Sequence, residues 1–424
     1  MCCSRWLVPF LSACSLALVA CDDSGGGGAN DADSRDIRDA AMVEVGQTAP
    51  VDSDVVDAVV VDGANCVPSV KDTSLGDLQD AATSAPATQF GIDLRPMQTT
   101  CRPLPLPTGK PDDPFPMTLL ATGCFTPADL RVPVSGVIPF DVNAPLWSDG
   151  AQKHRFMVIP DGGKIRVGVD GDFDFPVGTM LLKAFELAGR MLETRFLVHH
   201  ESGDWVGYTY VWDESGANTA SLQGEAPGRR FIGDLQWIFP GREACLSCHT
   251  KAAGRSLGPE LAQLNGDFTY PGNRRANQLR TLEHLGLFEK PLGDVSKLAV
   301  LPVPGLAATG TLEQRARAYL HSNCSHCHRP EGLVGMGDLP TFDLRYDVPL
   351  LQTGIFNREP VRGGLGVPGA RLLRPGSSAQ STIATRMGTT VPNWRMPAIG
   401  TSELDPLGIK VVNAWIDAFA PCSE

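Results

Sequence analysis

The sequence lacks an excess of positive charge and, beyond its first 21 residues, any long apolar segment. Lysines and arginines number 36 against 48 aspartates and glutamates, which gives a net charge of −12. General nucleic-acid binding needs a basic face, so this balance argues against a nucleic-acid partner. No segment after residue 21 approaches the ~20 apolar residues of a membrane-spanning helix, and no repeat of solenoid period is visible.

Glycine and proline, by contrast, are abundant. The 424 residues include 45 glycines and 34 prolines, a composition that favours loops and short strands over long helices. A chain of this length can form two or three domains.

The first 65 residues resemble an export signal followed by a tether. Arg5 precedes an apolar run that is too short to span a bilayer, and residues 18–21, Leu-Val-Ala-Cys, resemble a lipobox. We therefore expect a signal peptide over residues 1–21 and a lipid anchor on Cys21, which would place the protein in the cell envelope. An ordinary secretory signal with an incidental cysteine is the alternative. Residues 22–65 hold eleven acids and two arginines, a net −9, and predict a flexible acidic tether.

Residues 66–240 carry the patterns of short strands. Residues 205–212 alternate so that one face holds Val206, Tyr208, Tyr210 and Trp212. Residues 180–185 and 191–198 flank Gly189-Arg190 as the two strands of a hairpin would. We predict a β-rich, sandwich-like N-terminal domain.

Two helices are predicted in residues 241–424. The first spans residues 311–322 and runs into Cys324. The second begins at Asp405, a good N-cap, with Pro406 in its first turn. Its apolar residues recur at helical spacing, at Ile409, Val412, Ile416 and Phe419.

The strongest motif occurs twice in this second half. Residues 245–249 read Cys-Leu-Ser-Cys-His and residues 324–328 read Cys-Ser-His-Cys-His. Cys-x-x-Cys-His is the attachment signature of c-type haem. The two thiols form thioethers to the porphyrin vinyl groups, and the histidine that follows places its imidazole on the iron.

The motif is specific enough to exclude coincidence. With 12 cysteines and 8 histidines in the chain, chance predicts roughly 0.006 occurrences. A zinc site would place its two Cys-x-x-Cys pairs about 15–20 residues apart, whereas 75 residues separate Cys248 from Cys324. A thioredoxin-like redox motif belongs near a βαβ pattern, which is absent. We therefore predict two covalent haems c, on Cys245 with Cys248 and on Cys324 with Cys327.

His249 and His328 are the predicted proximal ligands of the two irons. For the second haem, Met396 is the predicted sixth ligand, because it lies downstream of His328 and just before the last helix; Met387 is the reserve. A thioether ligand raises the reduction potential.

The first haem has no comparable partner, since no methionine occurs between Cys245 and Cys324. His284 is the weak candidate for its sixth ligand. Four other side chains remain possible: His154, Met180, His199 and His200. We expect His321 and His326 to be surface residues near the haem.

Four further cysteines, an even number in an oxidising compartment, predict two disulfides. Three pairings of Cys66, Cys101, Cys124 and Cys422 are open.

Taken together, residues 137–418, about two thirds of the chain, resemble a family of bacterial dihaem c-type cytochromes. The matching segments are residues 145–151, 175–179, 183–185, 193–195, 245–249, 263–265, 323–328, 395–397 and 415–416. The resemblance implies two haems and export. For residues 241–424 we expect an α-helical, cytochrome c-like dihaem region.

Three functions compete at this point. The leading one is an electron carrier that exchanges electrons with a redox protein or a small donor or acceptor. The second is a dihaem enzyme, such as a peroxidase, with one open or weakly ligated iron. The third makes the aromatic-rich β domain a binding module for a polymer or redox partner, through residues such as Trp147 or Trp205.

Overall fold

The architecture is built on one antiparallel sheet. The computed structural model describes residues 75–79, 87–97, 100–108, 113–333 and 342–422, together with Pro68 and Ala85. The strands are β1 (Phe125–Thr126), β2 (Asp129–Pro133), β3 (Ile138–Phe140), β4 (Gln152–Val158), β5 (Arg166–Val167), β6 (Phe173–Asp174), β7 (Met180–Leu187), β8 (Arg190–His199), β9 (Trp205–Trp212), β10 (Ala220–Leu222), β11 (Gly228–Ile232), β12 (Leu235–Phe239), β13 (Asp267–Tyr270) and β14 (Arg274–Asn277).

Six strands form the main sheet in the order β10-β9-β8-β7-β4-β3, and the other strands pair as two-stranded ribbons. The predicted hairpin is confirmed as β7 and β8, which pair from Met180↔Val198 to Leu187↔Arg190. Its turn is Ala188-Gly189, one residue earlier than predicted. Both residues have positive φ, 50° and 77°, as a two-residue type I′ hairpin turn requires.

Both faces of the main sheet are buried. Tyr208, Tyr210 and Trp212 pack on one face, as the alternation in β9 predicted, against a layer that includes Leu104, Leu119 and other residues of the segment before β3. The opposite face packs against α2 and the loops around it. The β-rich prediction is therefore confirmed. The sandwich-like expectation was wrong in one respect, because among the described residues loops and ribbons, and not a second large sheet, cover the main sheet.

In the part of the chain that the structure describes, the α-helices are short and lie after residue 260. They are α1 (Leu261–Leu264), α2 (Gln278–His284), α3 (Leu312–Cys324), α4 (Thr382–Met387) and α5 (Pro406–Asp417). Loops and 3-10 turns form most of the remaining backbone, so the structure does not support an α-helical description of residues 241–424. All described residues belong to one compact unit that begins at residue 61.

The two predicted helices are confirmed. The Thr311 hydroxyl caps α3 by accepting a hydrogen bond from the Gln314 backbone amide. The Gln314 side-chain oxygen in turn accepts one from the Thr311 backbone amide, so the pair forms a capping box. Asp405 caps α5 through the amides of Leu407 and Gly408. The apolar faces of α3 and α5 meet around Trp415, which is fully buried.

Candidate haem site

A cavity of about 600 Å³ lies against the main sheet, within the size range of cofactor sites. One wall is formed by side chains from β4, β7 and β8. The loop before β4, the segment from Ala244 to Glu260, Ser325 and His326 of the second motif and the loop 395–402 also contribute to the lining. Much of the lining is apolar, including Phe140, Leu181 and Leu197.

The first motif sits directly on strand β9. Cys245 lies in the 3-10 helix Glu243–Ser247, and the His249 amide donates to the Cys245 carbonyl at 3.1 Å. A Cβ atom added to Gly207 would lie 2.3 Å from the Cys245 sulfur, closer than real atoms approach. Only glycine at position 207 leaves room for Cys245 in this position.

His249 is oriented for coordination. Its Nδ1 lies 2.6 Å from the Arg255 carbonyl oxygen, and since a carbonyl only accepts, Nδ1 carries the proton. Arg255 in turn donates to the His249 carbonyl at 3.1 Å, which closes the turn. Burial lowers the pKa of His249 to about 3, and the nearby positive charge of Lys183 adds to this effect. The imidazole is thus neutral at neutral pH, with the lone pair of Nε2 available to a metal.

A row of three cations crosses the sheet beside this motif. Arg155, Lys183 and Arg195 are register neighbours on β4, β7 and β8, and all three line the cavity. Arg155 forms an ion pair with Asp141, and Arg195 pairs with the fully buried Glu193.

Lys183 differs from the two arginines. In the described part of the chain its ammonium group has neither a hydrogen bond nor an ion pair. Burial lowers the pKa of Lys183 to about 7, with further contributions from the charges of Arg155 and Arg195. A substantial fraction of Lys183 is therefore neutral at neutral pH.

The second motif continues helix α3. The Cys327 and His328 amides donate to the Cys324 carbonyl at 3.1 and 2.9 Å, so the motif keeps its helical turn. The His328 ring stacks on Phe342 with centroids 4.4 Å apart. Burial lowers the pKa of His328 to about 4, and the charges of His326 and Arg386 act in the same direction.

Met396 lies near the same arginine. Its amide donates to the Arg386 carbonyl at 2.8 Å, and the Arg386 guanidinium donates to the Trp394 carbonyl at 3.0 Å. The guanidinium of Arg386 thus holds the loop that carries Met396, and its charge also acts on His328. Met387, the reserve candidate, is 7% exposed and belongs to the core around α5.

The two motifs approach each other. Ser325 and His326 of the second motif and Arg329, which follows it, line the same cavity as Cys245, Cys248 and His249. Arg329 donates to the Ala252 carbonyl at 2.9 Å. Burial raises the pKa of the Cys327 thiol to about 11, with a further contribution from Cys248. Expecting His326 at the surface was wrong, because it is partly buried in the cavity wall.

His284 is not brought to the cavity. Its ring is stacked on Phe90 with centroids 3.7 Å apart, and its Nε2 lies 2.7 Å from the Asp93 carbonyl oxygen. His284 is exposed on the far end of α2, so the structure does not support it as a ligand of the first iron.

The four reserve candidates for that position also lie elsewhere. His154 pairs with Glu186 at an exposed site. His199 stacks on Trp205, and His200 bonds Tyr208 at 3.1 Å. Met180 is fully buried on the sheet face opposite the cavity. Side chains alternate between the two faces along β7, so Met180 shares a face with Leu182 and not with Lys183.

The carboxyl groups of Asp172 and Glu260 also meet at the cavity, and the sequence did not predict this pair. Burial and the neighbouring carboxylate of Glu260 raise the pKa of Asp172 to about 7. His321 lies beside them, with Nε2 3.2 Å from Glu260 Oε1 and Nδ1 accepting from the Tyr346 amide at 3.1 Å. Both ring nitrogens of His321 are therefore engaged. No local motif signals this group, because its members are far apart in the chain.

The state of the cysteines agrees in part with the prediction. Cys101 and Cys124 form a disulfide, and Cys422 is also disulfide-bonded. Cys66 lies outside the described residues, as do Cys21 and the predicted signal and tether. The four motif cysteines, Cys245, Cys248, Cys324 and Cys327, are free thiols.

The donor set suits a covalently attached macrocycle better than a bare ion. Within the described ranges, no group of three or more His, Cys, Asp or Glu side chains could hold a metal ion. By contrast, two reduced thiols, a neutral imidazole with a fixed tautomer and an apolar cavity are what a c-type haem needs. Over the same ranges, no helix has the length and apolar character to cross a membrane.

Comparison with known proteins adds no further identification. No family model matches the sequence, and neither a curated protein nor a solved structure is detectably similar to it.

Proposed function

We propose that this protein is an exported c-type cytochrome that carries two covalent haems and transfers electrons between redox partners. One observation supports this above the others. His249 donates from Nδ1 to the Arg255 carbonyl at 2.6 Å and lines a cavity of about 600 Å³ beside two free thiols. This is the outer hydrogen bond that orients an imidazole for a metal and increases its basicity.

Each part of the chain has a distinct task in this proposal. Cys245 and Cys248 hold the first haem and His249 binds its iron; Cys324, Cys327, His328 and Met396 do the same for the second. Haem supplies reversible one-electron chemistry when bound. The sheet keeps water from one side of the first site, and the apolar core of α3 and α5 does so at the second.

The finer fold assignment, a cytochrome c-like unit around the second motif, is part of the same proposal. Helix α3 leads into the motif and crosses α5, the last helix. A Cβ atom added to Gly408 of α5 would lie 2.0 Å from the Tyr319 ring of α3. This close crossing of the motif-bearing and final helices supports the assignment.

The location and partners follow from the first residues of the chain. A lipid on Cys21 and the acidic tether of residues 22–65 would hold the haem-bearing unit at the membrane surface of the cell envelope. A soluble redox protein or a small electron donor or acceptor would then be the partner.

The test is a haem count by motif. In protein matured by a host with a c-type haem attachment system, intact mass and the pyridine haemochrome spectrum should give two haems per chain. Changing Cys245 and Cys248 to alanine should remove one haem, and changing Cys324 and Cys327 should remove the other. The matched control changes Cys101 and Cys124 to alanine and should keep both. A count of zero in the unaltered protein would refute the proposal.

A peroxidase-like enzyme is the second candidate. The observation in its favour is that none of the histidines and methionines predicted for the sixth position of the first iron reaches the cavity. A high-spin ferric signal that shifts with cyanide, together with peroxide turnover, would support it. The binding-module alternative gains no such support, because the side chains of Trp205, Tyr208 and Tyr210 are buried in the core.

A further inference from the structure

Among the described residues, Lys183 is the cation of the sheet row that has no counter-charge. Arg155 and Arg195 each have a carboxylate, on Asp141 and Glu193, whereas Lys183 projects into the cavity wall without an acceptor among the described residues. An ammonium group in such a position is costly unless something accepts its charge or it gives up its proton. A deprotonated amine offers a lone pair, which is what a metal ligand requires.

The position of Lys183 matches that use. Burial raises the pKa of the Cys248 thiol, and the charges of Arg195 and Lys183 counteract this rise. Lys183, Cys248 and His249 line the same cavity. Lys183 pairs in register with Arg195, and Arg195 pairs with Thr209, two residues from Gly207, so Lys183 faces the side of the sheet on which Cys245 rests.

The carboxylates of a bound haem would have better partners in this row than Lys183. Planar guanidinium groups bind carboxylates through two parallel hydrogen bonds, and Arg155 and Arg195 are the register neighbours of Lys183.

Few other ligands remain in the cavity wall. No methionine of the described residues lines it, and the two ring nitrogens of His321 are already engaged by Glu260 and Tyr346. His326 is the competitor, because it lines the cavity and has no hydrogen bond to its ring among the described residues. It lies between Cys324 and Cys327, however, which would tie it to the edge of the second haem.

We propose that Lys183 is the sixth ligand of the iron held by Cys245, Cys248 and His249. The inference rests on the proposed haem attachment. Lys183 Nζ loses one proton to solvent and donates its lone pair to the iron, displacing water, and no electron is transferred. The first iron would then have two nitrogen ligands and the second a nitrogen and a thioether, so the two sites would differ in potential, with the second higher.

Three variants test the assignment. Lys183→Met replaces the amine with a thioether of similar length. Lys183→Arg keeps the positive charge but cannot coordinate, because the guanidinium stays protonated. Lys153→Met is the matched control: Lys153 is also a buried lysine of this sheet, but it donates to the Leu146 carbonyl at 2.7 Å and does not line the cavity. His326→Asn tests the competitor.

The readouts are ferric EPR at low temperature, near-infrared magnetic circular dichroism and the haem count by mass. We expect Lys183→Arg to convert one of the two low-spin signals to high spin, and Lys183→Met to shift that signal to the pattern of histidine–methionine ligation with a higher potential. Lys153→Met and His326→Asn should leave both signals unchanged.

The failures are distinguishable. If Lys183→Arg retains both low-spin signals, Lys183 is not the ligand, and a contact with a haem carboxylate explains its position. If His326→Asn alone converts the signal, His326 is the ligand. A first iron that is high spin in the unaltered protein would also overturn the assignment. In each of these cases the haem count remains two, whereas failure of the proposed function would show as missing haem.

Discussion

Replacing Gly207 with alanine should loosen the first motif from the sheet. Gly207 pairs with Leu197 inside the main sheet, where alanine would ordinarily be better than glycine by about 0.5–1 kcal/mol. Here the new Cβ atom would lie 2.3 Å from the Cys245 sulfur and 2.6 Å from its Cβ. An ordinary contact begins near 3.4 Å, so Cys245 must retreat by about 1 Å.

Overpacking of this kind costs about 1–3 kcal/mol. After the backbone gain of alanine is subtracted, we expect a net loss of about 1–2 kcal/mol in the free energy of unfolding. Urea unfolding followed by tryptophan fluorescence measures this loss as a lower midpoint at an unchanged slope. Intact mass should show incomplete haem attachment at residues 245–249 and complete attachment at residues 324–328.

The control is Gly224→Ala, since a Cβ atom there meets nothing within 4 Å and should leave both measurements unchanged. If Gly207→Ala keeps the unfolding midpoint and the full haem content of the unaltered protein, then Cys245 does not rest on β9 and the reasoning fails.

Three other predictions concern charge, sulfur and a buried cation. Burial is the main reason why the pKa of Asp172 rises to about 7 from an ordinary value of 3.8. Between these two pH values the folded state therefore holds a proton that the unfolded state has lost. The stability that this group contributes is present below pH 3.8 and is lost as pH rises to 7. Asp172→Asn should flatten this decline in urea unfolding measured from pH 4 to 8. Replacing Cys101 and Cys124 with alanine should lower the free energy of unfolding by about 3 kcal/mol, the entropy of a loop of this length. Arg315→Met should lower it by about 2–4 kcal/mol in the same assay, because Arg315 is 1% exposed and donates to the Pro304 and Leu75 carbonyls.

Each of these has a control. Asp174→Asn removes an exposed carboxylate two residues further along the chain and should keep the slope of stability with pH that Asp172→Asn removes. Equal slopes for both variants would contradict the assignment. For the disulfide, reduced unaltered protein should match the double variant. Arg358→Met, at a partly exposed arginine, should change stability by less than about 0.5 kcal/mol, and a loss as large as that of Arg315→Met would refute the burial argument.

Much of the local structure could be predicted because its causes are local. Each Cys-x-x-Cys-His motif lies within five positions, and each of the caps of α3 and α5 lies within four. The buried face of β9 follows from a simple alternation of residues. The turn between β7 and β8 shows the limit of such reasoning. Gly189 was found, but its partner is Ala188 at φ 50°, a residue type that seldom marks a type I′ turn.

The rest depends on distant contacts. Lys183 and Cys248 lie far apart in the sequence, and only the pairing of β7 with β8 and the placement of Cys245 over β9 bring them together. The strand sequences also could not predict which segments cover the sheet. Strand β7 is buried on both faces, so its sequence shows no alternation of apolar and polar residues. The prediction of a mainly helical second half failed in the loops after α3. Glycines there, such as Gly363 and Gly366, adopt positive φ, which interrupts helices.

The main sheet also separates two kinds of sulfur chemistry that exported proteins must keep apart during biogenesis. The Cys101–Cys124 disulfide lies with the core on one face, and Cys245 rests on the other, over Gly207. Burial raises the pKa of the Cys245 and Cys248 thiols, so little reactive thiolate forms there. If haem joins Cys245 and Cys248 as proposed, this partition would let a folding chain form the Cys101–Cys124 disulfide on one face while the thiols that receive haem stay reduced on the other.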